Sequence, residues 1–355
     1  MIRNTFGSRQ LAAQAVVAGD RAIATLVAGR SNRWLLITLT ATLTITAAVT
    51  SIVGLGSVAQ IFDSIGLDMG GDAVRVDPRH WLAIGEHLSG SKHSATRVTS
   101  LSASPVSLVE QLIIPFEYLA GGRPSETRFR ENNIALGTNV VYELNGTNNG
   151  IARLVRGGTA ALTNITVNVQ QYYDDNVIAR PPLFRPWWKP LTLNIAAASP
   201  EIPLILDLKD LCRGITIIQD SDVGMVTDVI NKIGLRGSRS SIIGGGSLLN
   251  FKEWARGQEY RSGGDVFASP GGGVVHINFQ ESGRLANCLN PTQDASLALY
   301  FDAQPTAAAG ATQTNIRVLL HLLQRNPQVR AGDGQYITAP DAMMPKDLIG
   351  LSNAA

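Results

Sequence analysis

Residues 34 to 46 alternate strictly between apolar and polar side chains, apart from one extra leucine at the start. Successive side chains of a β-strand point to opposite faces, so a period of two predicts a long strand with one buried and one outer face. Threonine, which is β-branched, suits the outer face of a sheet. The predicted buried face carries Leu35, Ile37, Leu39, Ala41, Leu43 and Ile45, and the outer face carries Thr38, Thr40, Thr42, Thr44 and Thr46.

The same alternation returns along the chain in segments that Gly, Pro, Asn and Ser clusters separate. Strands do not alternate regularly with helices, so the pattern predicts mostly antiparallel sheet and disfavours a parallel α/β sheet. Two segments, 104–113 and 221–234, are predicted helices, and 208–212 a short helical turn. The further predicted strands are 139–145, 164–173, 190–198, 273–280, 296–304 and 315–323.

Short sequences recur in the same order in the two halves of the chain. TNITV (163–167) returns as TNIRV (314–318), and VYEL (141–144) pairs more loosely with LYFD (299–302). ITLT (37–40) matches LTLN (191–194). The three matches have similar spacings of about 150 residues, which predicts two consecutive β domains that are copies of one another.

Between the predicted domains lies a segment with four prolines and the pair Trp187-Trp188. Proline lacks a backbone N–H, so this density predicts a stiff linker outside the strand ladders. The tryptophans are expected to plug the junction between the domains, or else to form a platform for a stacked ligand. The predicted division is 1–32, a basic amphipathic N-terminal segment; 33–176, the first domain; 177–190, the linker; 191–328, the second domain; and 329–355, a C-terminal tail.

The first 33 residues carry five arginines against a single acidic residue, Asp20. Leu11, Ala15, Ala18, Ala22 and Leu26 fall at helical spacing, which predicts an amphipathic helix. Three interpretations stay open: a cleaved targeting segment, a retained helix on an anionic membrane surface, and a helix packed on its own domain. In the second case the membrane-facing residues are Arg3, Arg9, Arg21 and Arg30.

A dinucleotide-binding turn is the first candidate chemistry, because Gly54 and Gly56 with Ala59 give a GxGxxA pattern after a strand. Such a turn needs a strand buried on both faces and then a crossover helix. Here the strand is half polar, and too few residues follow for that helix. The two glycines are therefore predicted to turn the backbone rather than to admit a phosphate.

No other motif forms a catalytic or metal-binding set. The chain has neither a GxxxxGK[ST] loop nor a GxSxG elbow. Pairs such as Asp174 with Asp175 and Asp220 with Asp222 are predicted turn residues. We therefore predict that the protein is not an enzyme and binds no cofactor. His80, His87 and His93 match no compact ligand spacing, and Cys212 and Cys288 are predicted isolated buried thiols.

Composition favours a protein that buries surface against partners. Charged residues make up 16% of the chain and hydrophobic residues 45%, with a net charge of +2. That balance gives no reason to expect direct nucleic-acid binding, which normally needs a concentrated basic stripe. Aromatic residues make up only 6%, which argues against a carbohydrate-binding groove.

Residues 33 to 325 resemble the double jelly-roll major capsid proteins of tailless, membrane-containing icosahedral bacteriophages of the tectivirus type, a lineage that includes the adenovirus hexons. The resemblance rests on the domain repeat and on three segments. TNITVNVQQYYDD (163–175) is similar to the last strand of a first jelly roll, and IPLILDLKDL (202–211) to an early segment of a second. SLALYFDAQPTAAAGATQTNIRVLLHLL (296–323) is similar to the paired final strands.

The resemblance implies an all-β fold of two tandem eight-stranded jelly-roll sandwiches with few short helices. It implies a structural protein of the virion, a major capsid protein whose homotrimers are pseudo-hexagonal capsomers. These would tile an icosahedral shell over an internal lipid membrane, assemble in the host cytoplasm and contact penton, vertex and other minor capsid proteins. The N-terminal arginines would face the membrane. Two alternatives stay open: a minor vertex or spike protein of the same virus class, and a secreted carbohydrate-binding or enzymatic β-sandwich.

Overall fold

The fold is taken from a computed structural model, and all but a few of the residues that it describes lie in strands, turns and the loops between them. The helical elements are α1 (Pro78–Ser89), a helical turn at 251–254, and two 3-10 helices, Val58–Ile61 and Asn148–Arg153. The described residues are 6–16, 19, 21–27, 31–69, 72–89, 95–102, 105–116, 138–144, 148–174, 184–237, 241–244, 247–254, 273–279, 288–291 and 296–325.

The strands fall into two consecutive sets. The first set is β1 (Phe6–Gln10), β2 (Gln14–Ala15), β3 (Arg21–Thr25), β4 (Ser31–Ala47), β5 (Ser51–Ile52), β6 (Phe62–Met69), β7 (Asp72–Val74), β8 (Pro105–Pro115), β9 (Thr138–Leu144), β10 (Val155–Arg156) and β11 (Thr159–Asp174). The second set is β12 (Phe184–Asn194), β13 (Ser199–Ile205), β14 (Leu211–Ser221), β15 (Gly224–Met225), β16 (Ile230–Arg236), β17 (Ser241–Ile243), β18 (Leu249–Asn250), β19 (Val274–Asn278), β20 (Ala298–Ala303) and β21 (Thr314–Arg325).

Each set forms two antiparallel four-strand layers, and no sheet of the described residues mixes strands from both sets. In the first set, sheet A1 has the order β1/β2-β11-β4-β8 and sheet B1 the order β3-β9-β6-β7. In the second set, sheet A2 has the order β12-β21-β14-β19, with β15 pairing the end of β14. Sheet B2 has the order β13-β20-β16, and β17 and β18 both pair β16.

The two sets are two jelly rolls, because the strands occupy the same places in the same chain order. In both, the first, last, third and sixth main strands build the A sheet, and the second, seventh, fourth and fifth build the B sheet. The predicted all-β fold of two tandem eight-stranded jelly rolls is confirmed. We call them the first and the second roll.

Strand β4 confirms the alternation read from the sequence. Leu35, Ile37, Leu39 and Leu43 are fully buried, and the threonines between them stay partly exposed on the outer face of sheet A1. Each roll has its own apolar core between its A and B sheets. This is the arrangement expected when every strand buries one face.

The expected N-terminal helix is wrong. Strands β1 and β2 pair the outer edge of β11, and β3 pairs the outer edge of β9, so residues 6–25 complete both sheets of the first roll. An uncovered strand edge leaves a row of backbone groups without partners, which these short strands supply. The separate segment 1–32 is thus corrected: its described part belongs to the first roll, and β4 is that roll's third main strand.

The internal repeat is right for two of its three matches. TNITV and TNIRV lie in β11 and β21, and VYEL and LYFD lie in β9 and β20, which are equivalent strands. ITLT and LTLN do not lie in equivalent strands. β4 is inside sheet A1, whereas β12 is an edge strand of sheet A2, and the counterpart of β4 is β14.

Three helix assignments also change. The predicted helix 104–113 is strand β8, whose side chains alternate in burial, and 221–234 contains β15 and most of β16. The predicted turn at 208–212 leads directly into β14. The helix that does form is α1, which the sequence analysis missed although Asp77 and Pro78 are typical residues for a helix start.

The proline-rich segment is in part a strand, contrary to the expectation that it would stay outside the ladders. Residues 184–190 belong to β12, in which Pro186 pairs with Leu323 and Pro190 with Leu319. Because β12 is an edge strand and the prolines are four residues apart, both can turn their missing N–H towards the open edge. Residues 177–183 lie outside the described part, and the remaining domain boundaries stay a prediction.

Candidate functional site at the junction of the two rolls

Helix α1 lies between the two rolls. It packs against β6 and β8 of the first roll and against β14 and β19 of the second. Its first turn is fixed by Asp77, whose carboxylate accepts a hydrogen bond from the backbone N–H of Arg79 at 3.0 Å. Inside the first roll, Trp81 donates from its indole N–H to the carbonyl of Ile65 at 2.8 Å. The helix is thereby anchored to one roll while it faces the other.

The surface that α1 meets is the outward face of sheet A2. Strand β14 of this sheet is buried at every position. Its inward face packs in the core of the second roll, and its outward face lies under the contact with the first roll. Ile218, Val274 and Leu319 of this outward face belong to the core cluster of the first roll. The two cores are therefore joined through α1, and sheet A2 is covered on both sides.

Trp188 and Trp187, the predicted junction residues, both lie near this contact. Trp188 is fully buried and packs edge-on against Trp81, with ring centroids 5.1 Å apart and planes at 82°. Phe116 lies on Trp188 as well, at 6.4 Å. Trp187 is partly buried and contacts both cores. A ring as buried as Trp188 has no free face for a soluble ligand, so this geometry favours the plug over the stacking platform.

Four charged side chains form a chain of ion pairs across the junction. Arg79 donates from Nε to Asp77 Oδ1 at 2.9 Å and from Nη1 to Asp220 Oδ1 at 2.7 Å. Arg317 donates from Nε to the other oxygen of Asp220 at 2.6 Å. Asp77 and Arg79 belong to the first roll, and Asp220 and Arg317 to the second. The network therefore links the start of α1 to β14 and β21.

The environment keeps Asp77, Arg79 and Asp220 charged although they are buried. Burial opposes ionisation of Asp77 and Asp220, but the Arg79 guanidinium outweighs it, so the pKa of each carboxyl lies below its ordinary value. Both carboxylates in turn hold the pKa of Arg79 well above its ordinary value against its own burial. The neighbouring His80 behaves differently: burial lowers its pKa to about 3, so the ring stays neutral.

A polar cavity of about 300 Å³ opens beside the network. Its other charged side chains are already engaged, since Asp63 pairs with Arg153 at 2.7 Å. Asp222 accepts hydrogen bonds from the hydroxyl of Thr312 and the backbone N–H of Gln313. The arrangement can hold two domains in register, but it presents no nucleophile with an adjacent base. Within the part of the chain that the structure describes, no three His, Cys, Asp or Glu side chains are grouped to hold a metal ion.

The sequence-predicted site residues are mostly dispersed. His80 and His87 lie in α1, and His93 lies outside the described residues. Asp220 was predicted to be a turn residue, but it binds Arg79 in the ion-pair network. Asp222 does lie in a turn, where it accepts a hydrogen bond from the backbone N–H of Gln313. Arg79 and Arg317 were not recognised, because no local pattern relates positions so far apart in sequence.

The glycine turn after β4 has the structural role predicted for it. Gly54 and Gly56 have positive φ angles of 55° and 62°, which favour glycine. The buried side chain of Gln60 fills the turn and accepts from the backbone N–H of Leu55 at 2.9 Å. With its interior occupied in this way, the turn has the geometry of a loop closure rather than of a phosphate cradle.

The remaining candidates are two thiols and four arginines. Cys212 and Cys288 are free and buried, and burial raises the pKa of each to about 12. Arg9 and Arg21 are exposed on β1 and β3, while Arg3 and Arg30 lie outside the described residues. Among the described helices, none is long and apolar enough to cross a membrane.

The fold is that of the double jelly-roll viral major capsid proteins, and similar solved structures cover nearly the whole chain. No protein-family model matches the sequence, and no curated protein matches it. The major capsid protein of Sulfolobus turreted icosahedral virus is 12% identical with a TM-score of 0.65, over 90% of this chain and 97% of that one. Major capsid protein P2 of bacteriophage PM2 is 10% identical with a TM-score of 0.55, over 91% and 99%. A chain of the PBCV-1 virus capsid is 9% identical with a TM-score of 0.58, over 90% and 94%.

Arg79→Leu should destabilise the protein by about 3–5 kcal/mol, because it leaves the carboxylates of Asp77 and Asp220 buried without their shared partner. Denaturant unfolding followed by tryptophan fluorescence measures this. The matched control is Arg153→Leu, which breaks a half-exposed pair and should cost less than about 1 kcal/mol. Equal effects of the two substitutions would contradict the role given to the network.

His80→Gln should make stability less sensitive to acid. The folded chain holds His80 neutral down to about pH 3, whereas the unfolded chain protonates it below its ordinary pKa of 6.5, so the wild-type fold loses stability as pH falls from 6.5 towards 3. The charged groups that face His80 are Asp77, Arg79, Asp220 and Arg317. The two carboxyls have lowered pKa values in the folded chain, so their contribution to stability is lost only when the pH falls below about 3.8, their ordinary pKa.

Between pH 6 and 4.5, the free energy of unfolding of the wild type should therefore fall more steeply than that of His80→Gln. The difference should approach about 1.4 kcal/mol per pH unit, the effect of one proton. Denaturant titrations at a series of pH values measure it. Parallel curves would show that His80 does not titrate as described.

Proposed function

We propose that this chain is a major capsid protein, a non-enzymatic coat protein whose homotrimers are the capsomers of an icosahedral virus. The observation that carries the proposal is the complete double jelly roll, similar over nine tenths or more of its length to major capsid proteins of viruses with different hosts. The similarity covers 97% and 99% of those two solved chains, so it extends over both rolls of each.

The junction between the rolls supports the same proposal. Buried aromatic and ionic contacts between the rolls favour one relative position of the two, as a tile built from whole chains needs. Three such two-roll units give six similar lobes, which suit a pseudo-hexagonal tile.

The finer assignments belong to this proposal as well. The shell would enclose an internal lipid membrane, and penton, vertex and other minor capsid proteins would complete it. The virus would be a tailless bacteriophage whose capsid assembles in the host cytoplasm, and the chain would not bind nucleic acid directly. Since Arg9 lies in β1 and Arg21 in β3, the membrane would meet arginines on edge strands rather than on a helix.

The wild-type protein should be a stable trimer. Size-exclusion chromatography with multi-angle light scattering in native buffer measures the mass, which should equal three chains over a wide range of dilution. Large capsid interfaces are permanent, so dilution should not release monomers. A stable monomer at all concentrations would contradict the major-capsid proposal.

Replacing Arg9 and Arg21 together with glutamine should weaken binding to anionic liposomes. Each arginine near an anionic surface adds about 1 kcal/mol, so the double variant should lose roughly 30-fold in affinity in a flotation assay. Truncation would be a poor substitute, because it removes β1 and β3. Lys209→Gln with Lys232→Gln, which removes the same charge from the second roll, is the control and should bind like the wild type; equal binding by both variants would refute the membrane role of the N-terminal arginines.

A further inference from the structure

The two A sheets are equivalent, but their outward faces have different neighbours. On sheet A2, the outward residues Thr216, Ile218, Leu319 and His321 are fully buried under the contact with the first roll. On sheet A1, every outward residue of the central strands β4 and β11 remains partly exposed between Trp34 and Thr44 and between Thr166 and Tyr172. One copy of the repeated face is thus covered within the chain, and the other is open.

The open face has the chemistry of an interface. From Trp34 to Thr44 of β4, and at the positions of β8 and β11 that pair with this outward face, no side chain is charged. These residues are Trp34, Leu36, Thr38, Thr40, Thr42, Thr44, Pro105, Ser107, Val109, Gln111, Ile113, Pro115, Ala161, Thr163, Thr166, Asn168, Gln170 and Tyr172. Soluble surfaces normally mix charges at about one residue in four, and interface centres are depleted of them. The outer face of sheet B1, by contrast, carries the pairs of Asp68 with Arg21 and Arg75.

An aromatic pair gives the open face a contact-forming group. Trp34 and Tyr172 stack with ring centroids 5.0 Å apart, which makes a flat aromatic patch at one end.

The second roll carries a counterpart of the element that covers sheet A2. DPRHW (77–81) opens α1, and NFKEW (250–254) opens a helical turn at the same place in the second roll, after the strands that pair β6 and β16. Asn250 accepts from the backbone N–H of Glu253 at 3.2 Å, as Asp77 does from Arg79. Lys252 then corresponds to Arg79 and Trp254 to Trp81.

We propose that the outward face of sheet A1 binds the second roll of another copy of this chain, with the turn at 250–254 against it. This contact between two chains would be equivalent to the contact of α1 with sheet A2 within one chain. Each copy would then use the outward faces of both its A sheets, and the ring would close head to tail. This inference rests on the proposed function, because it assigns the surface by which the trimer forms.

The contact between chains differs from the internal one in charge. The match of TNITV with TNIRV places Thr166 at the position of Arg317, so Thr40, which pairs with Thr166, stands at the position of Ile218, which pairs with Arg317. Two residues further along the same face, Thr42 stands at the position of Asp220. Lys252 therefore meets threonine hydroxyls where Arg79 meets a carboxylate. The association between chains should depend weakly on salt, since no ion pair is formed at this point.

The experiment places a charge in the open face. Thr38→Arg should convert the trimer to a monomer in light scattering, because the guanidinium would lose its hydration in the buried contact. Thr25→Arg is the control, since Thr25 is exposed on β3 in sheet B1, and it should remain a trimer. Should Thr38→Arg lower the melting temperature of the fold itself, Gln111→Arg on the edge strand β8 tests the same face with less crowding.

A cross-linking measurement tests the pairing directly. Thr40→Cys combined with Lys252→Cys should give covalent trimers with a short bis-maleimide, because Cys212 and Cys288 are buried and do not compete. Thr25→Cys with Lys252→Cys should not. If the wild type is a trimer while both face variants stay trimeric and the first pair does not cross-link, this inference is overturned and the capsomer proposal stands. A monomeric wild type would overturn the proposed function itself.

Discussion

The structure depends on covering a sheet whose central strand is buried on both sides. Strand β14 has no exposed position, so sheet A2 cannot be an ordinary half-solvated antiparallel sheet. Its second face is closed by α1, which belongs to the other roll. The second roll therefore needs the first one, and the chain folds as a pair of rolls.

The polar contacts at the rim give that packing its register. Apolar surfaces such as those of Trp81 and Trp188 can slide past one another at little cost, because the hydrophobic effect has no direction. A buried arginine held by carboxylates from both rolls tolerates one geometry, since any displacement leaves a charge unpaired. Arg79 is thus a positioning residue, and the polar cavity lies directly beside its ion pairs.

The sequence predicted the features that are local and long. The strict alternation of β4 and the short sequence shared by β11 and β21 are each too long to be expected by chance. They predicted two β domains and supported the resemblance to double jelly rolls. The short strands were missed because two to five residues cannot establish a period, and Leu11, Ala15 and Ala18 also fit a helix. The prolines of β12 led to the wrong prediction of a linker. A sheet tolerates proline in an edge strand, and the sequence alone does not show which strand lies at the edge. The pairing of Arg79 with Asp220 carries no local signal, since only the folded topology brings them together.

A double jelly roll whose rolls are locked together should assemble as a ring of equivalent lobes. Negative-stain electron microscopy of the purified protein tests this most directly, because class averages show the lobes without any assumption about mass. We expect flat particles with six lobes around a central axis, in three pairs. Isolated particles with two lobes, at concentrations where the protein is folded, would contradict the account.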